Sequence, residues 1–187
     1  IHDRIMQEVI HPTVEGMAAE GHPYTGFLYA GLMIDQDGTP KVIEYNCRFG
    51  DPETQPIMMR MESDLVELCL AAIDKKLDQV ESKWAPQASI GIVLAAGGYP
   101  AAYNKGDVIS GLPQQEVAGE KVFHAGTDNK DGDIVTNGGR VLCATALGNS
   151  VSEAQQRAYE LAKQISWDGM FHRSDIGYRA IAREQEK

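Results

Sequence analysis

Five polar side chains fall within ten positions of one stretch, Lys41 to Pro56, which reads KVIEYNCRFGDPETQP. They are Glu44, Asn46, Arg48, Asp51 and Glu53. Val42 and Ile43 open the stretch as a β-branched strand, and alternation along a strand turns Glu44, Asn46 and Arg48 to one face. A carboxylate and an amide oxygen are hard donors of the kind Mg²⁺ accepts, and Mg²⁺ keeps waters and binds substrate phosphates as well. A guanidinium beside them can fork onto a phosphate. The pattern points to phosphate chemistry. It is also what a solvated sheet face looks like, and spacing alone leaves both readings open. Gly50-Asp51-Pro52 then predicts a turn, because glycine frees the backbone and proline fixes it, and loops at strand ends carry function disproportionately.

The elements that must position these residues are legible nearby. Phe27 to Ile34 is a continuous apolar run of strand length, and Asp37-Gly38 is a hairpin signal before the strand from Lys41 to Tyr45. The two strands are predicted to pair antiparallel, with Ala30 to Met33 close to the Glu44 strand. Ahead of them Ile1, Ile5 and Val9 recur at helical spacing, and Pro12 is expected to kink or restart that helix. After them Pro56 to Met61 reads as a helix. Ser63 is expected to cap a further helix through Leu77, with Leu65, Leu68, Cys69, Ala72, Ile73 and Leu77 on its buried stripe.

Asp78 to Gln87 is polar and reads as a connection. Beyond it come short strands and glycine turns: Ile90 to Ala96, Lys121 to Ala125, Ile134 to Thr136 and Arg140 to Leu147. Asn137-Gly138-Gly139 is expected to join the last two as a tight hairpin loop. Ser150 and Glu153 match a capping box for a helix to Ile165, with Ala154, Ala158, Leu161 and Ile165 inward. Asp175 to Glu186 reads as a short terminal helix. Gly97-Gly98 after a strand is a weak phosphate-cradle signal, more often a plain turn.

The 187 residues suffice for one ordinary domain or two small ones, and 43% apolar with 24% charged residues describes a globular chain. A net charge of −10 argues against nucleic acid or an anionic membrane as a partner. No apolar run reaches the roughly 20 residues of a membrane helix. Cys47, Cys69 and Cys143 show no C-x-x-C pairing and predict a reducing, cytoplasmic setting; Cys47 is expected to pack rather than react. The chain opens on Ile1 and reads as helix at once, which predicts processing or a longer parent chain.

The string IEYNCRFGDPETQ, with HPTVEGM and YTGFLYAGLM before it and AAGGYP and TNGGRVL after it, resembles the glycinamide ribonucleotide synthetase family of the ATP-grasp superfamily. The resemblance covers essentially the whole chain and implies the C-terminal part of such an enzyme, whose N-terminal half would be missing. It implies an α+β fold: residues 1–82 as the C-terminal portion of an ATP-grasp domain, and 83–187 as a small β-rich domain with a helix. It implies that Glu44 and Asn46 bind the Mg²⁺ or Mn²⁺ attached to ATP, that Arg48 contacts the transferred phosphate, and that Asp51 and Glu53 line the substrate side. Many relatives in the superfamily carry another acid on the preceding strand. Here that neighbourhood is Ala30-Gly31-Leu32-Met33, and Met33 or Leu32 is expected to pack under adenine instead. The implied reaction joins glycine to 5-phosphoribosylamine through a glycyl phosphate, an early step of purine synthesis, and the chain alone is expected to be inactive. Another ATP-grasp ligase and a non-catalytic metabolite-binding module are the competing readings.

Overall fold

A computed structural model describes residues 1–186, and the chain divides into two compact units. The first comprises Ile1–Asp51 and Ser63–Ser82, the second Pro52–Glu62 and Lys83–Lys187. Among the described residues no helix is long and apolar enough to cross a membrane.

The first unit opens with α1 (His2–Ile5), a π-helical turn (Met6–Ile10) and α2 (His11–Ala19), in unbroken succession. Pro12 lies in the first turn of α2. Proline brings no N–H to the preceding turn, and widening that turn accommodates it without breaking the helix. The Thr13 hydroxyl donates to the Val9 carbonyl at 2.7 Å, occupying an acceptor in the same region. The expected kink or restart takes the form of a widened turn, after which α2 begins with Pro12 in its first turn.

β1 (Tyr29–Ile34) and β2 (Pro40–Asn46) form the expected antiparallel hairpin. Gly38 takes φ +81 in the connection, where the Asp37 carboxylate accepts from the Thr39 backbone at 2.9 Å and the Thr39 hydroxyl at 2.8 Å. Those hydrogen bonds, the backbone one foremost, hold the Asp37 carboxyl below its usual range. The helical segment ties onto the hairpin through Arg4, which donates to Thr39 Oγ1 at 3.0 Å, and through a 2.7 Å contact between the Thr13 and Tyr45 hydroxyls.

The helix α4 (Leu65–Ile73) departs from expectation at both ends. Asp64, one residue after Ser63, is the N-cap, and it accepts from the backbone of Val66 and Glu67. The helix stops at Ile73 because Lys75 enters the left-handed region at φ 57, and a 3-10 turn (Leu77–Gln79) follows. Ile73 and Leu77, expected on the buried stripe, are exposed at 71% and 48%.

The second unit is built on β3 (Ala88–Ala95), β4 (Glu120–His124) and β7 (Arg140–Gly148), an antiparallel sheet in the order β3-β7-β4. Alternation gives the sheet two covered faces. Ile90, Ile92 and Leu94 on β3, with Leu142, Ala144 and Ala146 on β7, meet Ala154, Ala158, Leu161 and Ala162 of α5 (Val151–Lys163) in the main core. The opposite face carries Gly91 and Cys143, and there α3 (Thr54–Arg60) packs. A Cβ on Gly91 would stand 3.3 Å from Pro56 Cγ and 2.9 Å from Cys143 Sγ, so glycine is what lets the helix approach. Arg60 secures its far end through two bonds to the Ala85 carbonyl, at 3.2 and 3.0 Å.

Ser150 caps α5 as expected, its hydroxyl accepting from Glu153 N at 3.0 Å, while the Glu153 carboxylate reaches one residue beyond the N-cap and accepts from Asn149 N at 2.7 Å. The Asn137-Gly138-Gly139 loop is not a hairpin turn. β6 (Asp133–Thr136) pairs with β5 (Thr127–Lys130), a strand not anticipated, around Asp131 (φ 55) and Gly132 (φ 97). The three-residue loop serves close packing instead, since a Cβ on Gly138 would lie 2.9 Å from Gly126 Cα and one on Gly139 would run into the Tyr99 ring. The remaining helix, α6 (Tyr178–Gln185), ends the described chain.

Candidate active site

The candidate site begins with the register of the β1–β2 hairpin. Tyr29 faces Asn46, Ala30 faces Tyr45 and Gly31 faces Glu44, after which the register slips between Gly31 and Leu32. Glu44 and Asn46 therefore share one face with Tyr29 and Gly31, while Tyr45 points to the other, where its hydroxyl meets Thr13. One face of the hairpin is committed to the N-terminal helix. The other presents a carboxylate and an amide.

Gly31 makes room for that carboxylate: a Cβ there would stand 3.0 Å from Glu44 Cγ and 3.7 Å from the Tyr29 ring. Glu44 is exposed and Asn46 half-buried. Met33 follows Gly31 on the same face and is 57% exposed, whereas Leu32 is turned to the opposite face with Ala30. Of the two residues expected near adenine, the structure puts Met33 on the face of the acid.

Strand alternation ends at Asn46, and Cys47 and Arg48 lie in a bend. Arg48 is exposed, and its Nη1 donates to the Phe49 carbonyl at 2.8 Å, while the Phe49 ring stacks on Phe27 with centroids 4.2 Å apart. The bend, not the pleat, sets the direction of the guanidinium. Cys47 is exposed rather than packed; burial raises the Tyr24 hydroxyl's pKa, and a hydrogen bond to the Cys47 thiol raises it further. Asp51, exposed, ends the first segment of the first unit, and Glu53, half-buried, stands at the N-cap position of α3 in the second.

Among the described residues no three His, Cys, Asp or Glu side chains gather into a metal-holding group. Glu44 and Asn46 supply two hard oxygens, too few for a cation held by protein alone. They match Mg²⁺, which completes its octahedron with water and substrate phosphates. The donor set fits the metal that the motif implies.

Residues 1–54 match the model for the ATP-grasp (A) domain of phosphoribosylglycinamide synthetase, and residues 89–179 match the model for its C domain. The phosphoribosylamine–glycine ligase of Vibrio parahaemolyticus is 91% identical over all 187 residues. The chain belongs to the phosphoribosylglycinamide synthetase family.

The Escherichia coli phosphoribosylamine–glycine ligase is 68% identical over 186 residues, so the similarity to this family is not confined to vibrios. The chain spans 44% of the length of the Vibrio parahaemolyticus relative and 43% of the Escherichia coli one. The crystal structure of the Thermotoga maritima phosphoribosylamine–glycine ligase superposes with a TM-score of 0.79 at 40% identity, over 91% of this chain and 41% of that one. A biotin carboxylase domain from Hydrogenobacter thermophilus superposes at 0.59 with 16% identity, over 89% of this chain and 37% of that one, which shows a shared ATP-grasp fold.

The site residues that sequence reasoning missed were Gly31 and Tyr29. A hairpin centred on Asp37 would set Gly31 opposite Ile43, and only the extra residue in β2, which the sequence does not announce, brings it opposite Glu44.

Proposed function

We propose that this chain works within a longer ATP-dependent carbon–nitrogen ligase that joins glycine to 5-phosphoribosylamine. The products are glycinamide ribonucleotide, ADP and phosphate. The observation that carries the reading is the Glu44–Asn46 pair on the open face of the hairpin, in a chain 91% identical to a phosphoribosylamine–glycine ligase.

A carboxylate is a poor acyl donor because it has no leaving group. In the proposed reaction a glycine carboxylate oxygen attacks the γ-phosphorus of ATP and ADP departs, giving glycyl phosphate. The amine of phosphoribosylamine then attacks the acyl carbon, and phosphate leaves with the former carboxylate oxygen. A bound Mg²⁺ or Mn²⁺ would neutralise charge on the phosphate oxygens during the transfer. Glu44 and Asn46 would hold that metal through their oxygens. Arg48 contacts the phosphoryl group in flight, an interaction that grows as negative charge spreads over it. Met33 supplies an apolar surface for adenine from the Glu44 face, Leu32 supports the hairpin behind it, and Asp51 and Glu53 line the substrate side. Residues 1–82 form the C-terminal portion of the ATP-grasp domain, and 83–187 the small β-rich domain.

Three cysteines outside any disulfide suit a reducing compartment, and the reading places the ligase in the cytoplasm. The test is ADP release by the chain joined to the remaining length its relatives carry. Release that requires both glycine and phosphoribosylamine supports the ligase. Release that ignores glycine defeats it.

A further inference from the structure

Arg48, the side chain proposed to meet the phosphoryl group, sits where strand pairing no longer holds the chain. β2 ends at Asn46, and Cys47 and Arg48 follow in an exposed bend. An exposed arginine has many rotamers, and holding it in one direction costs free energy that its neighbours must offset. Its head is tied back onto the bend itself, Nη1 donating to the Phe49 carbonyl at 2.8 Å. The guanidinium therefore follows the backbone of Phe49.

The loop ahead of β1, Tyr24-Thr25-Gly26-Phe27, touches the residues on both sides of the arginine. Before it, the Tyr24 hydroxyl is hydrogen-bonded to the Cys47 thiol, and it donates to the Phe27 carbonyl at 2.8 Å. After it, the Phe27 ring meets the Phe49 ring, with centroids 4.2 Å apart and planes inclined at 35°. Gly26 lets the loop close this tightly, since at φ +150 a Cβ there would stand 2.9 Å from the Tyr24 hydroxyl oxygen. Phe27 is 39% exposed and lies outside the buried core, so its ring contributes little to core packing. What it does is hold Phe49. All of these residues lie in the first unit, together with Glu44 and Asn46.

We infer that Tyr24 and Phe27 are positioning residues for Arg48: their loop grips the bend before and after the arginine and so aims its guanidinium. This rests on the ligase reading above, in which Arg48 contacts the phosphoryl group. Neither residue touches substrate in this account. Each acts through a neighbour of the arginine, Tyr24 through Cys47 and Phe27 through Phe49.

Steady-state kinetics on the ligase of full family length test it through a double-mutant cycle. Phe27→Leu removes the ring contact, and Tyr24→Phe removes only a hydroxyl, which keeps the test decisive if Leu disturbs the fold. Each is expected to lower kcat, Phe27→Leu by about tenfold, because small misplacements of a catalytic group are costly. The KM for ATP should stay within about twofold, the sign of a contact made in the transition state and not in ground-state binding. In an Arg48→Ala background the same substitutions should change kcat by less than about twofold, since the group they aim is gone. Falls of equal size in both backgrounds would reveal a general structural role and overturn the inference. Unchanged kcat in folded Phe27→Leu and Tyr24→Phe would overturn it too, as would Arg48→Ala enzyme with the wild-type rate, in each case with glycine-dependent ADP release still standing. Wild-type enzyme without that release would defeat the ligase reading itself, and this inference with it.

Discussion

Gly31 stands directly across the β1–β2 ladder from Glu44, and a Cβ on it would lie 3.0 Å from Glu44 Cγ. The carboxylate proposed to hold the metal thus rests over a position kept clear of a side chain. Glu44 is exposed, so the fold does not depend on where its carboxylate points; the proposed chemistry does.

Gly31→Ala is accordingly expected to shift the Glu44 carboxylate. ATP-dependent turnover in the full-length ligase should fall about tenfold and the Mg²⁺ concentration for half-maximal rate should rise, because small misplacements of a catalytic group are costly. Melting temperature should change by only a few degrees. Metal titration of the rate, with a melting curve beside it, checks both.

Glu44→Ala and Asn46→Ala should each reduce turnover by at least about a hundredfold, the scale on which lost transition-state electrostatics act. Glu44 is exposed, so stability in Glu44→Ala should stay within about 0.5 kcal/mol. Arg48→Lys keeps the charge but loses the planar fork, and it should cost turnover more than ATP binding. ADP release alongside ATP titration separates the two effects.

The second unit depends on its buried sheet. Ile92 is fully buried between β7 and α5, and Ile92→Ala should cost about 2–5 kcal/mol in urea unfolding. Ser150→Ala removes the cap on α5 and should cost about 1 kcal/mol. A loss at Ser150 larger than at Ile92 would contradict the packing described.

Much of this was legible in the sequence, for reasons that are local. Asp37-Gly38 between two apolar runs specifies a hairpin, and Ser150 with Glu153 specifies a helix start, because each signal acts within a few residues. Where expectation failed, distant contacts decided. Asn137-Gly138-Gly139 has the composition of a hairpin turn, but its glycines are needed to pass Gly126 and Tyr99. At the site, alternation carried Glu44 and Asn46 correctly to one face and failed for Arg48, because the strand ends at Asn46. The extra residue in β2, which fixes what stands opposite Glu44, leaves no trace in composition.

The hairpin turn should respond to acid in one direction. Asp37 has its carboxyl held below the usual range by the Thr39 hydrogen bonds, so its contribution is complete above the ordinary value near pH 4 and is lost as pH falls through the lower, folded value. NMR titration of Thr39 and Gly38 amides should show the turn loosening only below about pH 4. In Asp37→Asn that acid-side step should be absent.

The central claim is that glycine is activated as its acyl phosphate, and the most direct measurement follows one oxygen. Full-length ligase supplied with ATP, phosphoribosylamine and glycine labelled with ¹⁸O in its carboxylate should release inorganic phosphate carrying one ¹⁸O per turnover. Phosphate free of label, from enzyme that still forms glycinamide ribonucleotide, would contradict the account.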